Sequence, residues 1–214
     1  MNTLGQVLRN YSCELRYKKY DTEFLLDSLD EITDAIEYLN NRNSVMAKQI
    51  LQPYIPALIK YIDKKQIKVT LSNNQSVTIP IIIKNDFNLP QPLAMCDSRF
   101  DSITLEFKYI HSINVYPSIL TFPTRVIDAT LAHEIAHAMR YLEGRDKYET
   151  TSVHAEFWAD RELKKYLILI NPKYHNKKER LLSIKLTHDM LNRKEYTGQW
   201  TALGQFWDRL RPFF

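Results

Sequence analysis

His133 and His137 lie in an apolar run, Thr130-Leu131-Ala132-His133-Glu134-Ile135-Ala136-His137-Ala138. This spacing constrains the chain more than any other feature of the sequence. On an α-helix, residues four apart differ by only about 40° around the axis. Both imidazoles can therefore reach one ion at about 2.0–2.1 Å, the length of a zinc–nitrogen bond. The spacing predicts a helix with Thr124 as its cap, running to about Glu143, with Gly144 where a helix-ending glycine belongs.

Glu134 lies about 100° from His133 on that helix, so it borders a bound ion without being aligned as a ligand. A general base for a metal-bound water needs such a position, because the metal brings the water pKa towards about 7 and a neighbouring carboxylate can then take its proton. Ala132, Ala136 and Ala138 leave room around the pair.

A catalytic zinc needs a third protein ligand. Gly at 140 and His at 143 would mark a metzincin, but the residues there are Arg140 and Glu143. The next helical stretch, capped by Ser152 and ending near Ile170, offers His154, Glu156 and Asp160. Glu156 and Asp160 are four apart and share a face. Glu156 as ligand, with Asp160 orienting a ligating histidine through its second nitrogen, makes a complete ligand set and its support. His154 is the rival ligand, and it differs from Glu156 by about 200° on a helix, so both cannot bind one ion unless the helix starts between them.

The His-Glu-x-x-His segment, followed 19 residues later by Glu156-x-x-x-Asp160 with Ala159 before the aspartate, resembles the gluzincins, zinc metallopeptidases of the zincin type. The resemblance covers residues 124–170 and does not reach the N-terminal third. It implies one zinc per chain held by His133, His137 and Glu156, with Glu134 as the base. It also implies hydrolysis of peptide bonds in a protein or peptide substrate. Two alternatives stay open. SprT-like metallopeptidases share the His-Glu-x-x-His helix but use a third histidine, here His154, and would act on DNA-associated proteins. A non-catalytic zinc-binding regulatory module would have no use for Glu134. An electrophile for the developing oxyanion could be His111, His175, His188, Tyr166 or Tyr174.

The rest of the chain reads as α+β. Apolar residues at helical spacing predict a helix over 22–42, with Asp21 or Thr22 as cap, and a second from Ser44 to about Lys65, divided by Pro53 and Pro56. Alternation at 67–71 and 77–83 around Asn73-Asn74-Gln75 predicts a β-hairpin, with Pro80 placing its second strand at an edge or ending it early. Residues 84–101 read as a surface loop and 103–109 as a strand; the resemblance to zincins implies that this strand is the sheet's edge and the place where an extended substrate would pair. Further helices are expected at 176–194 and 200–210. This divides the chain into an N-terminal helical region, 1–65, and a zincin-like part, 66–214, within what could be one continuous domain.

Composition excludes several classes. Only 4 of 214 residues are Gly, and no phosphate-cradling Gly motif is present. Cys13 and Cys96 are too few and too far apart for a disulfide framework. No apolar signal segment or membrane span is seen, so a cytoplasmic, reducing location is expected. The net charge of +4 is concentrated at 161–194, which carries ten Lys/Arg against Glu162, Glu179 and Asp189. That stretch reads as a solvated helix face, with nucleic acid, a membrane surface or an acidic partner as alternatives.

Overall fold

The computed structural model describes residues 23–63, 67–87, 93–101, 106–145 and 152–191. Its architecture is α+β. Among these residues three helices come first: α1 (Leu29–Asn40), α2 (Ser44–Leu51) and α3 (Ile55–Asp63). Five described strands follow: β1 (Lys68–Thr70), β2 (Ser76–Thr78), β3 (Ile81–Ile83), β4 (Ala94–Asp101) and β5 (Glu106–Val115). Three more helices are α4 (Thr124–Leu142), α5 (Ser152–Ile170) and α6 (Lys177–Leu191). The helix expected at 200–210 and the first residues, 103–105, of the strand expected at 103–109 lie outside the described residues.

Helix α1 begins later than its apolar spacing suggests. Ser28, not Asp21 or Thr22, is the cap, and its side chain accepts the Glu31 N–H. The segment just before is diverted onto α4, where the Glu23 carbonyl accepts the Thr124 N–H at 2.7 Å. Ile32, Ala35 and Leu39 then form the buried stripe of α1. Pro53 sits in a 3-10 turn over Gln52–Tyr54, which divides α2 from α3. Pro56 falls in the first turn of α3, where a missing N–H costs little.

Strands β1 and β2 form the expected antiparallel hairpin, Val69 opposite Val77. Pro80 ends it, and Ile81–Ile83 leaves to join a second sheet with the order β3-β5-β4. There β3 runs parallel to β5 and β4 antiparallel to it. Two expectations are corrected here. Residues 94–101, read as part of a loop, are strand β4, because Ala94 and Cys96 turn inward while Met95 stays 42% exposed, a pattern that mixed polarity disguises. The strand expected at 103–109 is, where described, the central β5, so the edge strands are β3 and β4. β5 continues to Val115 through Ser112 and Asn114, both buried, with the Ser112 hydroxyl 3.0 Å from Asn114 Oδ1.

Everything gathers on α4. Helices α5 and α6, with strands β4 and β5, pack against it. Each residue from Thr124 to Arg140 is buried. Buried apolar side chains from Leu26 to Leu186 belong to one cluster. The start of α4 is not side-chain capped, since Thr124 lies one residue inside the helix after Pro123. Its end is as the sequence indicates: Glu143 is the cap and Gly144 follows at φ +64, the left-handed conformation glycine takes without strain.

Candidate metal centre

A helix buried on all sides must satisfy its polar side chains internally, and α4 does so with three groups of partners. Near its start, Asp128 is fully buried and accepts the hydroxyls of Tyr61 (α3) and Tyr174, each at 2.8 Å. Arg125 pairs with Glu179 of α6, and the Arg125 carbonyl accepts the Ser183 hydroxyl at 2.8 Å. At the far end, Arg140 and Arg145 both pair with Glu162 of α5. These contacts clamp α4 between α3, α5 and α6 and so fix the direction of the histidines between them.

His133 and His137 project from one side of α4, with ring centroids 4.8 Å apart and planes at 77°. Their Nε2 atoms are 3.1 Å apart. Glu156 reaches across from α5, one carboxylate oxygen 2.9 Å from His133 Nε2 and the other 3.6 Å from His137 Nε2. Asp160, one turn further along α5, lies 2.9 Å from His133 Nδ1. With His133 Nδ1–H donating to Asp160, the Nε2 lone pair of the neutral ring faces the other imidazole and the Glu156 carboxylate. Acceptors gathered in this way require a shared proton or a cation among them. Three donors about 2.1 Å from one tetrahedral ion stand roughly 3.4 Å from one another. The two imidazole nitrogens, 3.1 Å apart, are near that spacing, and one ligand atom from each of the three residues lies within 4.8 Å of the others. His133, His137 and Glu156 are therefore a group that could hold a metal ion, and two imidazoles with a carboxylate are a donor set suited to zinc.

The electrostatics agree. Burial works against charge on His133, but its bonds to Asp160 and Glu156 outweigh that and hold its pKa well above the usual value. Burial likewise opposes charge on Glu156, yet the hydrogen bonds from His133 and His137 keep this carboxyl well below the usual range.

Glu134 stands apart from this triad. Its side chain is buried, and one carboxylate oxygen accepts the Cys96 N–H of β4 at 2.7 Å. Burial raises its pKa, and the N–H of Cys96 partly offsets this. β4 turns this amide away from β5, towards α4.

Other candidates fall differently. Tyr174 is fully buried and its hydroxyl donates to Asp128. Tyr166 is also buried, its hydroxyl is 3.5 Å from Glu162, and burial pushes its pKa up to about 12. His175 is exposed at the end of a 3-10 turn, Pro172–His175. His111, His154 and His188 lie in described elements, but their side chains fall outside the described residues. Two contributors went unnoticed in the sequence. The Cys96 amide left no trace, because every residue but proline has one. Tyr141, stacked on His137 with centroids 6.3 Å apart, was marked only by lying four residues further along the helix.

Set against known proteins, the chain matches no family model, no curated protein and no solved structure.

Proposed function

We propose that this chain is a zinc-dependent metallopeptidase that hydrolyses peptide bonds in a protein or peptide substrate. One observation carries the reading. Three potential ligand atoms, from His133, His137 and Glu156, lie within 4.8 Å of one another, while a fourth buried side chain, the Glu134 carboxylate, lies beside them on the same helix as the histidines. A structural zinc site has no use for Glu134 in that place. A bound zinc ion supplies a water acidified towards neutrality and a Lewis acid for a carbonyl.

The remaining work falls to the chain's own groups. Glu134, with a pKa raised by burial, is suited to accept a proton from the attacking water and to return it to the leaving amine. Asp160 holds His133 in the tautomer that presents Nε2 to the ion. The edge strand β4, whose Cys96 amide already faces Glu134, is the element beside which an extended substrate backbone would lie, in place of the 103–109 segment. Glu156 supports the gluzincin-type arrangement over the SprT-like one, because it reaches both histidines and shares its helix face with Asp160.

Glu134→Gln tests the reading. The variant keeps nearly the same shape and should bind zinc normally, yet its cleavage of a mixture of unfolded proteins should fall at least about 100-fold, the lower end of what a general base contributes. Excess 1,10-phenanthroline should stop wild-type cleavage, and added zinc should restore it. Equal cleavage by wild type and Glu134→Gln would overturn the proposal.

A further inference from the structure

The basic stretch of the chain is more one-sided in space than in sequence. On α5 the exposed side chains beyond the metal cluster are Arg161, Lys164, Lys165 and Leu169. On α6 they are Lys177, Lys178, Leu181 and Lys185. At about 100° per residue, the α6 set lies within an arc of roughly 100° and the α5 set within roughly 140°, so each helix has a single outward face.

The acidic residues Glu162 and Glu179 on these helices are engaged by arginines that lie off the outward faces. Glu162 is bound by Arg140 and Arg145, and Glu179 by Arg125. Among the described side chains, neither outward face carries an acid. An ordinary solvated helix face intersperses both signs. Here the pairing that would produce such a face has been used inside.

The second observation is apolar. Leu169 is 47% exposed in the last turn of α5, and Leu181 is 54% exposed in the second turn of α6. They flank the 3-10 turn Pro172–His175, which packs on both helices. A leucine gains nothing from a phosphate backbone, and no exposed aromatic side chain stands among the described residues of these faces to stack on bases. A leucine does gain at the boundary of headgroups and acyl chains, where lysines around it meet anionic lipid.

We infer that the outward faces of α5 and α6 form a docking surface for an anionic lipid bilayer, holding the protein at the membrane without crossing it. Among the described residues, no helix is long and apolar enough to span a bilayer. The lysines supply attraction within a Debye length of the surface, and Leu169 and Leu181 enter the interface. None of these side chains belongs to the His133, His137, Glu156 group, so the inference stands or falls independently of the peptidase proposal.

Co-sedimentation of the full chain with phosphatidylcholine vesicles, with and without phosphatidylserine, tests it. Binding should require phosphatidylserine and fall steeply between low and high salt. One lysine at an anionic surface is worth about fivefold in partitioning, so the triple variant Lys177→Ala, Lys178→Ala, Lys185→Ala should lose roughly 100-fold. The pair Leu169→Gln and Leu181→Gln keeps every charge and should lose roughly tenfold. All five positions are exposed, so unchanged circular dichroism is expected. A short duplex DNA is titrated in parallel by fluorescence anisotropy. No binding to phosphatidylserine vesicles at low salt overturns the inference. So does vesicle binding that the leucine pair leaves intact, or DNA binding tighter than vesicle binding.

Discussion

Asp160 offers the most discriminating perturbation of the candidate metal centre, because it touches a candidate ligand, His133, and is not one of the three residues that could hold the ion. Its carboxylate is only 8% exposed and lies 2.9 Å from His133 Nδ1, so solvent screening takes little from the interaction. Asp160→Asn keeps the shape, and the amide oxygen can still accept the Nδ1–H. What is lost is the charge. A hydrogen bond to a charged group contributes about 1.5–3 kcal/mol and a neutral one about 0.5–1.5. The difference, on the order of 1–1.5 kcal/mol, corresponds to roughly tenfold in zinc affinity. Asp160→Ala also leaves the buried Nδ1–H unpaired and should approach 100-fold, the upper end for groups that support a metal ligand. Competition against a chromophoric zinc chelator at neutral pH reads both values. Losses as complete as that of His133→Ala would make Asp160 a ligand. No change in either variant would mean that Asp160 does not orient His133, and the reasoning from the 2.9 Å contact would fail.

Glu156→Ala should lose zinc far more severely than His154→Ala, measured as metal content after gel filtration; the reverse would place the third ligand at His154. A pH effect is expected at Glu162. Burial opposes its charge, but Arg145 and Arg140 hold its pKa below the ordinary carboxyl value of 4.5. Its contribution to stability is therefore complete above about pH 4.5 and is lost as pH falls through the lowered folded value. Thermal melts of Glu162→Gln should lie below wild type at neutral pH and converge with it in acid; a constant gap would refute the assignment. Tyr174→Phe removes one of two hydroxyl donors from the buried Asp128 and should cost about 1.5–3 kcal/mol in urea unfolding, against near-neutrality if water replaces the donor.

How far the sequence could be read follows the range of the forces involved. The His133, His137, Glu156 and Asp160 positions were legible because the helical period is local: once α4 and α5 exist, faces are fixed by residue number. The clean end of α4 at Gly144 is legible for the same reason. β4 was not, since Ala94-Met95-Cys96-Asp97 owes its strand conformation to pairing with β5, a contact made across the chain. Tyr166 and Tyr174 looked like candidates because their chemistry is visible in sequence while their burial is not. The start of α1 was misplaced because a tertiary bond, Thr124 N–H to the Glu23 carbonyl, competes with helix formation just before Ser28.

The complete burial of α4 from Thr124 to Arg140 ties two equilibria together. The candidate ligands are aimed by the packing that makes the core, so a partly unfolded chain has no preformed site, and a metal bound there would select the folded molecule. Binding then adds RT ln(1 + [M]/Kd) to the free energy of unfolding, about 4 kcal/mol at a thousandfold excess over Kd. Against a domain total of typically 5–15 kcal/mol, such an ion would be a large share of what keeps the chain folded.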